Sequence, residues 1–286
     1  MIIVNRDFIA ILMATYNGAE FLGEQIDSLL AQTFQDWHLY VHDDGSTDST
    51  KAVLERYADE HPDKITLLHY PAQGGACQNF LSLLERTEAP YYMFCDQDDV
   101  WLPEKVELSL TELKRQEQLY PGKGVVVYTD LQIVDEKLSV VYPSMWKHSG
   151  VYPQYLRTFG DFGGHTATVT GCSMLFNQKA KASCAYPSDK ATMHDIWVCL
   201  CTLRRGGIVK GCDSPLVLYR QHEHNCLGSG GTDASEVNLR YRIVNFRKMY
   251  KSNQRYYAML SSLGYGSVVK YLYNKIKYKI RIRMGR

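Results

Sequence analysis

The chain has 286 residues, 45% hydrophobic and 22% charged, values of a globular protein that exclude disorder, collagen and coiled coil for most of its length. Its net charge of +1 hides an asymmetry: from Arg240 to Arg286 there are thirteen lysines and arginines and no acid, which leaves −12 on the first 239 residues. An acidic body joined to a basic tail is the first functional hint. The N-terminal MIIVNRDFIAILMATYNG lacks the pattern of a secretory signal, and no run of 18 apolar residues suggests a membrane span. The eight cysteines form no CxxC pair and several lie in apolar runs, so they read as buried thiols in a cytoplasmic protein.

In chain order, residues 8–14 (FIAILMA) form an apolar run ended by a polar turn at Thr15–Gly18, the pattern of a buried parallel strand. Phe21, Leu22, Ile26, Leu29 and Leu30 share one helical face. A strand at 38–41 stops at Asp43-Asp44-Gly45-Ser46-Thr47-Asp48, where Ser46, Thr47 and Asp48 are candidate N-caps for a helix carrying Ala52, Val53 and Tyr57. The alternation continues with a strand at 65–69, a helix through Phe80–Leu84 and a strand at 91–95. This spacing predicts a doubly wound, mostly parallel sheet covered by helices on both faces, which binds ligands at the carboxyl ends of its strands.

Beyond residue 120 the pattern loosens. Residues 125–134 and 138–143 suit a hairpin or an added mixed-sheet segment. Residues 144–168 read as a functional loop or lid, 170–177 as a strand entering a helix, 194–203 as a helix and 216–219 as a short strand. From Glu236 onward two helices are expected, broken near Gly264-Tyr265-Gly266. We divide the chain into a body, 1–232 (nucleotide-binding half to about 120, acceptor half 121–232), and a basic helical extension, 233–286.

Cys95-Asp96-Gln97-Asp98-Asp99-Val100-Trp101 sets three carboxylates directly after a buried strand. Like charges so close raise one another's pKa unless a cation offsets them. Mg2+ or Mn2+ with oxygen ligands is one resolution; a solvated acidic loop, with Asp99 capping the next helix, is the other. Asp43-Asp44 repeats the arrangement, either as turn chemistry or as an acceptor for a nucleobase N–H or ribose hydroxyl.

ATYNGAEFL (14–22), HDDGSTDST (42–50), FCDQDDVWLPEKVE (94–107), MHDIW (193–197) and YRQHEHN (219–225) occur in the order of a family 2 glycosyltransferase of the GT-A fold, which the chain resembles over roughly 8–228. It is most similar to bacterial rhamnosyltransferases of cell-wall or capsular rhamnan. The resemblance implies that Thr15, Tyr16 and Glu20 line the nucleotide pocket and that Asp43 or Asp44 reads the base. It places ribose and metal on Asp96 and Asp98, with Asp99 a neighbour able to share the ion. Asp195 falls at the catalytic base, although His194-Asp195 replaces the family's usual Glu-Asp pair. Arg220 and His222 are placed near diphosphate or metal, with metal ligation, phosphate contact and packing all open for His222. His194 reads as a surface or orienting residue, Trp101 as core packing or a wall of the sugar pocket, and His165 as a loop residue with a conceivable acceptor role.

The reaction so implied is direct, inverting transfer of a sugar, L-rhamnose from dTDP-rhamnose by first choice, to a glycan acceptor in cell-surface polysaccharide synthesis. A UDP-hexose donor is an alternative. A nucleotidyltransferase would need a glycine-rich phosphate loop that ATYNGAEF lacks, and a non-catalytic nucleotide-sugar-binding protein remains a third class. The mixture of Lys/Arg with Leu, Ile and Tyr in the tail suits peripheral contact with an anionic membrane at its cytoplasmic face, where the resemblance implies a lipid-linked acceptor. A solvated tail is the plainer reading, and no nucleic-acid motif accompanies the charge.

Overall fold

A computed structural model describes residues 7–164, 169–184, 189–222 and 246–284. Four parallel strands form one half of its sheet: β1 (Ile9–Thr15), β2 (Trp37–Asp43), β3 (Ile65–Leu67) and β4 (Tyr91–Cys95), in the order β3-β2-β1-β4 from the edge inward. The helices between them are α1 (Ala19–Leu30), α2 (Thr50–Glu60) and α3 (Ala76–Arg86). Every other residue of β1 faces one side of the sheet, and both sides are apolar. Ala10 and Leu12 join a core with Phe80, Leu83 and the helix His194–Arg204, whereas Ile9, Ile11 and Met13 join a second core with Leu22, Ile26 and Leu29. That double burial is why the strand reads as an unbroken apolar run.

The sheet continues through β8 (Met174–Asn177), β6 (Val125–Val134), β9 (Ile208–Arg220) and β5 (Val100–Trp101). β8 is antiparallel to both β4 and β6, β9 is parallel to β6, and β5 is antiparallel to β9. Most paired residues still run parallel. β7 (Val140–Tyr142) completes an antiparallel hairpin with β6, one of the two arrangements expected. The strand expected at 216–219 is the end of a 13-residue strand. Its start is concealed by Gly211, which pairs in register with Tyr128, and by Asp213 and Pro215 at the register shifts against β6, where strands accept such residues.

Four strand spacings separate β4 from β5, about 19 Å in a flat sheet, yet only residues 96–99 connect them. Because that connection is itself bent, the sheet curls and brings β5 back toward α1, where Trp101 N–H donates to Ser28 Oγ at 3.0 Å. Asp99 does not cap the helix that follows; α4 (Lys105–Leu119) begins after Glu104. α2 likewise starts later than its expected caps, after Ser49, although Asp48 accepts from Thr50 N–H at 3.0 Å.

The stretch expected to be a loop is compact. It holds α5 (Met145–Ser149), a 3-10 turn (Pro153–Tyr155) and α6 (Phe159–Gly163), and buries Trp146, Val151, Leu156 and Phe162. Helices of five residues are too short to show periodicity, and their caps, Ser144 and Thr158, are the sequence signal for them. After a turn at Gly171–Ser173 and β8 come α7 (Gln178–Ala182) and α8 (His194–Arg204). α9 (Phe246–Ser262) and α10 (Val268–Met284) are the two tail helices, separated where expected; Met259, Leu260, Tyr265, Tyr271 and Tyr278 enter the core shared with α8. Cys77, Cys95, Cys172, Cys199, Cys201 and Cys212 are thiols. Among the described residues no helix is long and apolar enough to cross a membrane.

Candidate active site

The register of the central strands aligns their carboxyl ends: Thr15 is opposite Asp43, and Met13 is opposite Cys95. Residues 15–18, 43–50 and 96–99 therefore emerge side by side and hold one another. Asp43 accepts from Gly45 N–H (3.1 Å), Ser46 N–H (2.8 Å), Thr15 Oγ–H (3.0 Å) and the Ser46 hydroxyl. Asp44 accepts from the N–H groups of Gln73, Gly74 and Gly75, fixing the loop before α3. Asn17, in the left-handed region at φ 47°, donates its backbone N–H to Ser46 Oγ (2.8 Å), and its Oδ1 accepts from Thr47 N–H (2.8 Å). Both carboxylates expected to read a base thus brace turns, and their sequence also carries that turn chemistry.

Gln97 joins the third loop to the first. Its Oε1 accepts from Tyr16 N–H at 2.9 Å, and its Nε2 donates to Tyr16 C=O at 3.1 Å. A Cβ on Gly18 would stand 2.2–2.6 Å from the same amide, so only glycine admits the clasp. Tyr16 is left 57% exposed, Glu20 is exposed in the first turn of α1, and Thr15 is buried. Local sequence does not reveal the Gln97 clasp or the need for glycine at 18; a polar residue set between two aspartates is its one signal.

The carboxylates of residues 96–99 separate into two groups. Asp98 Oδ2 lies 2.9 Å from His222 Nε2, with both side chains largely covered and the imidazole against the Phe21 ring at 4.9 Å. Asp96 and Asp99 cluster instead with the Cys172 thiol, their ligand atoms all within 4.8 Å. Burial and then the nearby Asp98 and Asp195 charges push the Asp96 carboxyl up to about 7, and burial raises Asp99 well above the carboxylate range. Asp99 accepts from Arg220 N–H at 3.2 Å. Beneath them Lys105 is completely buried, its ammonium 3.5 Å from the Trp101 ring centre, and burial lowers its pKa to about 7. Trp101, 2% exposed, is core.

Arg220 supports this loop from within. Its Nε–H donates to Asp98 C=O at 2.8 Å, and its other nitrogens reach Glu136 C=O and the Glu24 carboxylate. Only 1% of the residue is exposed, so its guanidinium acts on the site through the loop's main chain.

Asp195 opens α8, a helix buried on every side from His194 to Thr202. Its Oδ1 accepts from Ile196 N–H at 2.6 Å, and Gly171 N–H also stabilises the anion. Burial outweighs those hydrogen bonds and raises its pKa to about 6, and its charge is felt at Asp96. His194, expected as a surface or orienting residue, is not at the surface: it is 3% exposed between the Phe80 ring (4.1 Å, stacked) and the Phe94 ring (4.6 Å, edge-on). This apolar setting lowers its pKa to about 3, keeping the imidazole neutral. A Cβ on Gly171 would lie 2.4 Å from His194 Nε2. The Gly171-Cys172 turn therefore links the helix of Asp195 to the carboxylates of β4. His165, Glu223 and His224 lie outside the described residues.

By donor chemistry an oxygen-seeking divalent cation suits the Asp98–His222 pair better than the Asp96, Asp99 and Cys172 cluster, whose ligand atoms lie within 4.8 Å of one another. Burial holds the Cys172 thiol protonated, and Mg2+ and Mn2+ prefer carboxylate, imidazole and water to sulfur.

The model of the Glycosyl transferase family 2 matches residues 10–181. An uncharacterised glycosyltransferase of Rickettsia prowazekii is 31% identical over 135 residues, 47% of this chain and 39% of its own length; the chain thus spans about two fifths of that relative. The dTDP-rhamnosyl transferase RfbG of Shigella flexneri is 27% identical over 229 residues, 76% of this chain and 74% of RfbG. Among solved structures, S. aureus TarS 1-349 in complex with UDP-GlcNAc superposes with a TM-score of 0.57 at 17% identity, covering 79% of this chain and 62% of that one. The mannosyltransferase PcManGT of Pyrobaculum calidifontis, in complex with GDP-Man and Mn2+, gives 0.54 at 16% identity over 96% and 82%. These likenesses establish a GT-A type fold.

Proposed function

Because the chain belongs to glycosyl transferase family 2, we propose that it transfers a sugar from a nucleotide diphosphate to a glycan hydroxyl with inversion, with Asp195 as the base. The observation that carries this reading is the pairing of two unlike carboxylate environments at the ends of β4 and the start of α8. Asp195 is buried, near the Asp96 charge, and has a pKa of about 6, close to where a general base works best. Asp98 with His222 offers a polar donor pair, both side chains largely covered, at 2.9 Å.

On this reading Asp195 takes the acceptor O–H proton as that oxygen bonds to the anomeric carbon. The bond from that carbon to the diphosphate oxygen breaks, and the nucleoside diphosphate leaves with the electron pair. Asp98 and His222, with Asp96 beside them on the same loop, would hold Mg2+ or Mn2+, which would supply Lewis-acid stabilisation of the diphosphate. Thr15 and Asp43 fix the floor of the nucleotide pocket, Asp44 the loop beside it, and exposed Tyr16 and Glu20 form its rim. Arg220 and Asp99 hold the loop that carries Asp98.

For the donor we favour dTDP-rhamnose, supported by RfbG, a relative aligned over about three quarters of both chains, 76% and 74%. A UDP-hexose is the second reading, favoured by the fold shared with TarS bound to UDP-GlcNAc. The acceptor is read as a lipid-linked glycan of a bacterial cell-surface polysaccharide, with residues 1–232 working at the cytoplasmic face of the membrane and 233–286 as the extension that keeps them there. A panel of nucleotide sugars, with and without Mn2+ or Mg2+, tests the proposal. Metal-dependent binding and turnover of dTDP-rhamnose supports it, turnover of a UDP-hexose alone replaces the donor, and binding without transfer to any acceptor rejects catalysis.

A further inference from the structure

The tail helix α10 has two faces with opposite fates. Tyr271, Asn274 and Tyr278 are buried. Asn274 Nδ2–H donates to Tyr265 Oη at 2.9 Å, Tyr265 O–H donates to Gly160 C=O at 2.6 Å, and Tyr278 Oη accepts from Tyr152 N–H at 2.9 Å. Lys277 and Arg281 lie 3.6 and 3.3 Å from the Asp161 carboxylate. Gly163 and Gly164 are required for this fit, since a Cβ would stand 2.1 Å from Tyr265 and 3.0 Å from Asn274 respectively. The inner face thus clamps α6, the segment that leads toward the Gly171 turn and Asp195.

On the opposite side Val269, Leu272, Tyr273, Ile276, Ile280 and Met284 recur at helical spacing, and each is at least half exposed. A continuous apolar strip on a solvent face calls for an occupant. Lys270, Lys275, Lys279 and Arg283 accompany it, and the helix contains no acidic residue. An apolar strip rimmed only by cations is complementary to lipid carrying negative headgroups, where the strip enters the acyl boundary and the ammonium groups stay with phosphate. A second copy of this helix would instead bring like charges together.

We propose that the outer face of α10 seats the protein on an anionic bilayer while its inner face clamps α6, so that membrane docking and the acceptor side of the site share one helix. The choice of a lipid-linked acceptor rests on the proposed function, but docking itself is measured without sugar or nucleotide. A failure of transfer and a failure of docking are therefore distinguishable.

The test is flotation of the full chain with vesicles of phosphatidylcholine alone and of phosphatidylcholine mixed with phosphatidylglycerol. The chain floats with the mixed vesicles only and is released by high salt. Leu272→Asp with Ile276→Asp lowers binding at least about tenfold, and Lys279→Glu with Arg283→Glu abolishes the preference for the anionic lipid. All four side chains are exposed, so circular dichroism and melting stay those of the parent. The proposal is overturned if the parent stays unbound to anionic vesicles or if the Leu272/Ile276 variant floats equally well. It is also overturned if light scattering shows a dimer that this variant dissociates while vesicle binding is unchanged.

Discussion

Replacing Asp195 by asparagine separates what this carboxylate costs the fold from what it does in the reaction. The side chain is 7% exposed, and folding raises its pKa from 3.8 to about 6. At about 1.4 kcal/mol per unit, the ionised form is disfavoured in the folded protein by about 3 kcal/mol. An acid whose pKa rises on folding binds its proton more tightly in the native state, so its contribution to stability declines as pH rises from about 4 to 6 and stays at its minimum above that. Asparagine keeps the shape and can still accept from Ile196 N–H, but it carries no charge. Near pH 8 the Asp195→Asn variant is therefore more stable by up to about 3 kcal/mol, several degrees in melting temperature at about 2–4 °C per kcal/mol for a chain of this size. Near pH 4 the difference disappears, because the parent carboxyl is then protonated as well. Urea unfolding of both proteins at the two pH values, with a chelator present to remove metal, measures it. Turnover of the same variant falls by about 10²–10⁴-fold. Equal or lower stability of the variant near pH 8 would show that the carboxylate is not desolvated, and retained turnover would remove it from the base role.

Turnover of the parent rises with pH through about 6 as Asp195 loses its proton; a rate profile flat across that range contradicts the assignment. Asp98→Asn weakens the apparent Mn2+ affinity, read from metal titration of activity, by at least about tenfold, the loss found even for outer-shell partners of metal ligands. Unchanged metal dependence would place the ion elsewhere. Gly18→Ala drives the Gln97 amide off Tyr16 and costs about 1–3 kcal/mol for two hydrogen bonds, measured by urea unfolding. Gln97→Ala has a similar effect, and the two together cost little more than either alone because they break the same clasp.

The central strands were legible because double burial leaves a contiguous apolar run, and the ligand loops because polar residues interrupt those runs abruptly. Asp96, Asp98 and Asp195 stood out as charges beside apolar sequence. The path of β9 was obscured: Gly211 and Pro215 resemble a loop until β6 supplies partners, Tyr128 for the glycine and Asp130 for the proline. The setting of His194 was equally hidden, since nothing local shows that Phe80, Phe94 and Gly171, distant in sequence, enclose its ring. The division of labour among the acids is tertiary as well. Asp98 faces His222 while Asp99, its neighbour, turns to Cys172 and Arg220.

The clasp between Gln97 and Tyr16 touches only the peptide group of Tyr16. Loop architecture at the proposed nucleotide rim is consequently written in Gln97 and Gly18, and it makes no demand on the side chain that Tyr16 projects outward. Such a position can change its chemistry without loosening its frame, which makes residue 16 a natural place for selection, or for an engineer, to retune the choice of donor.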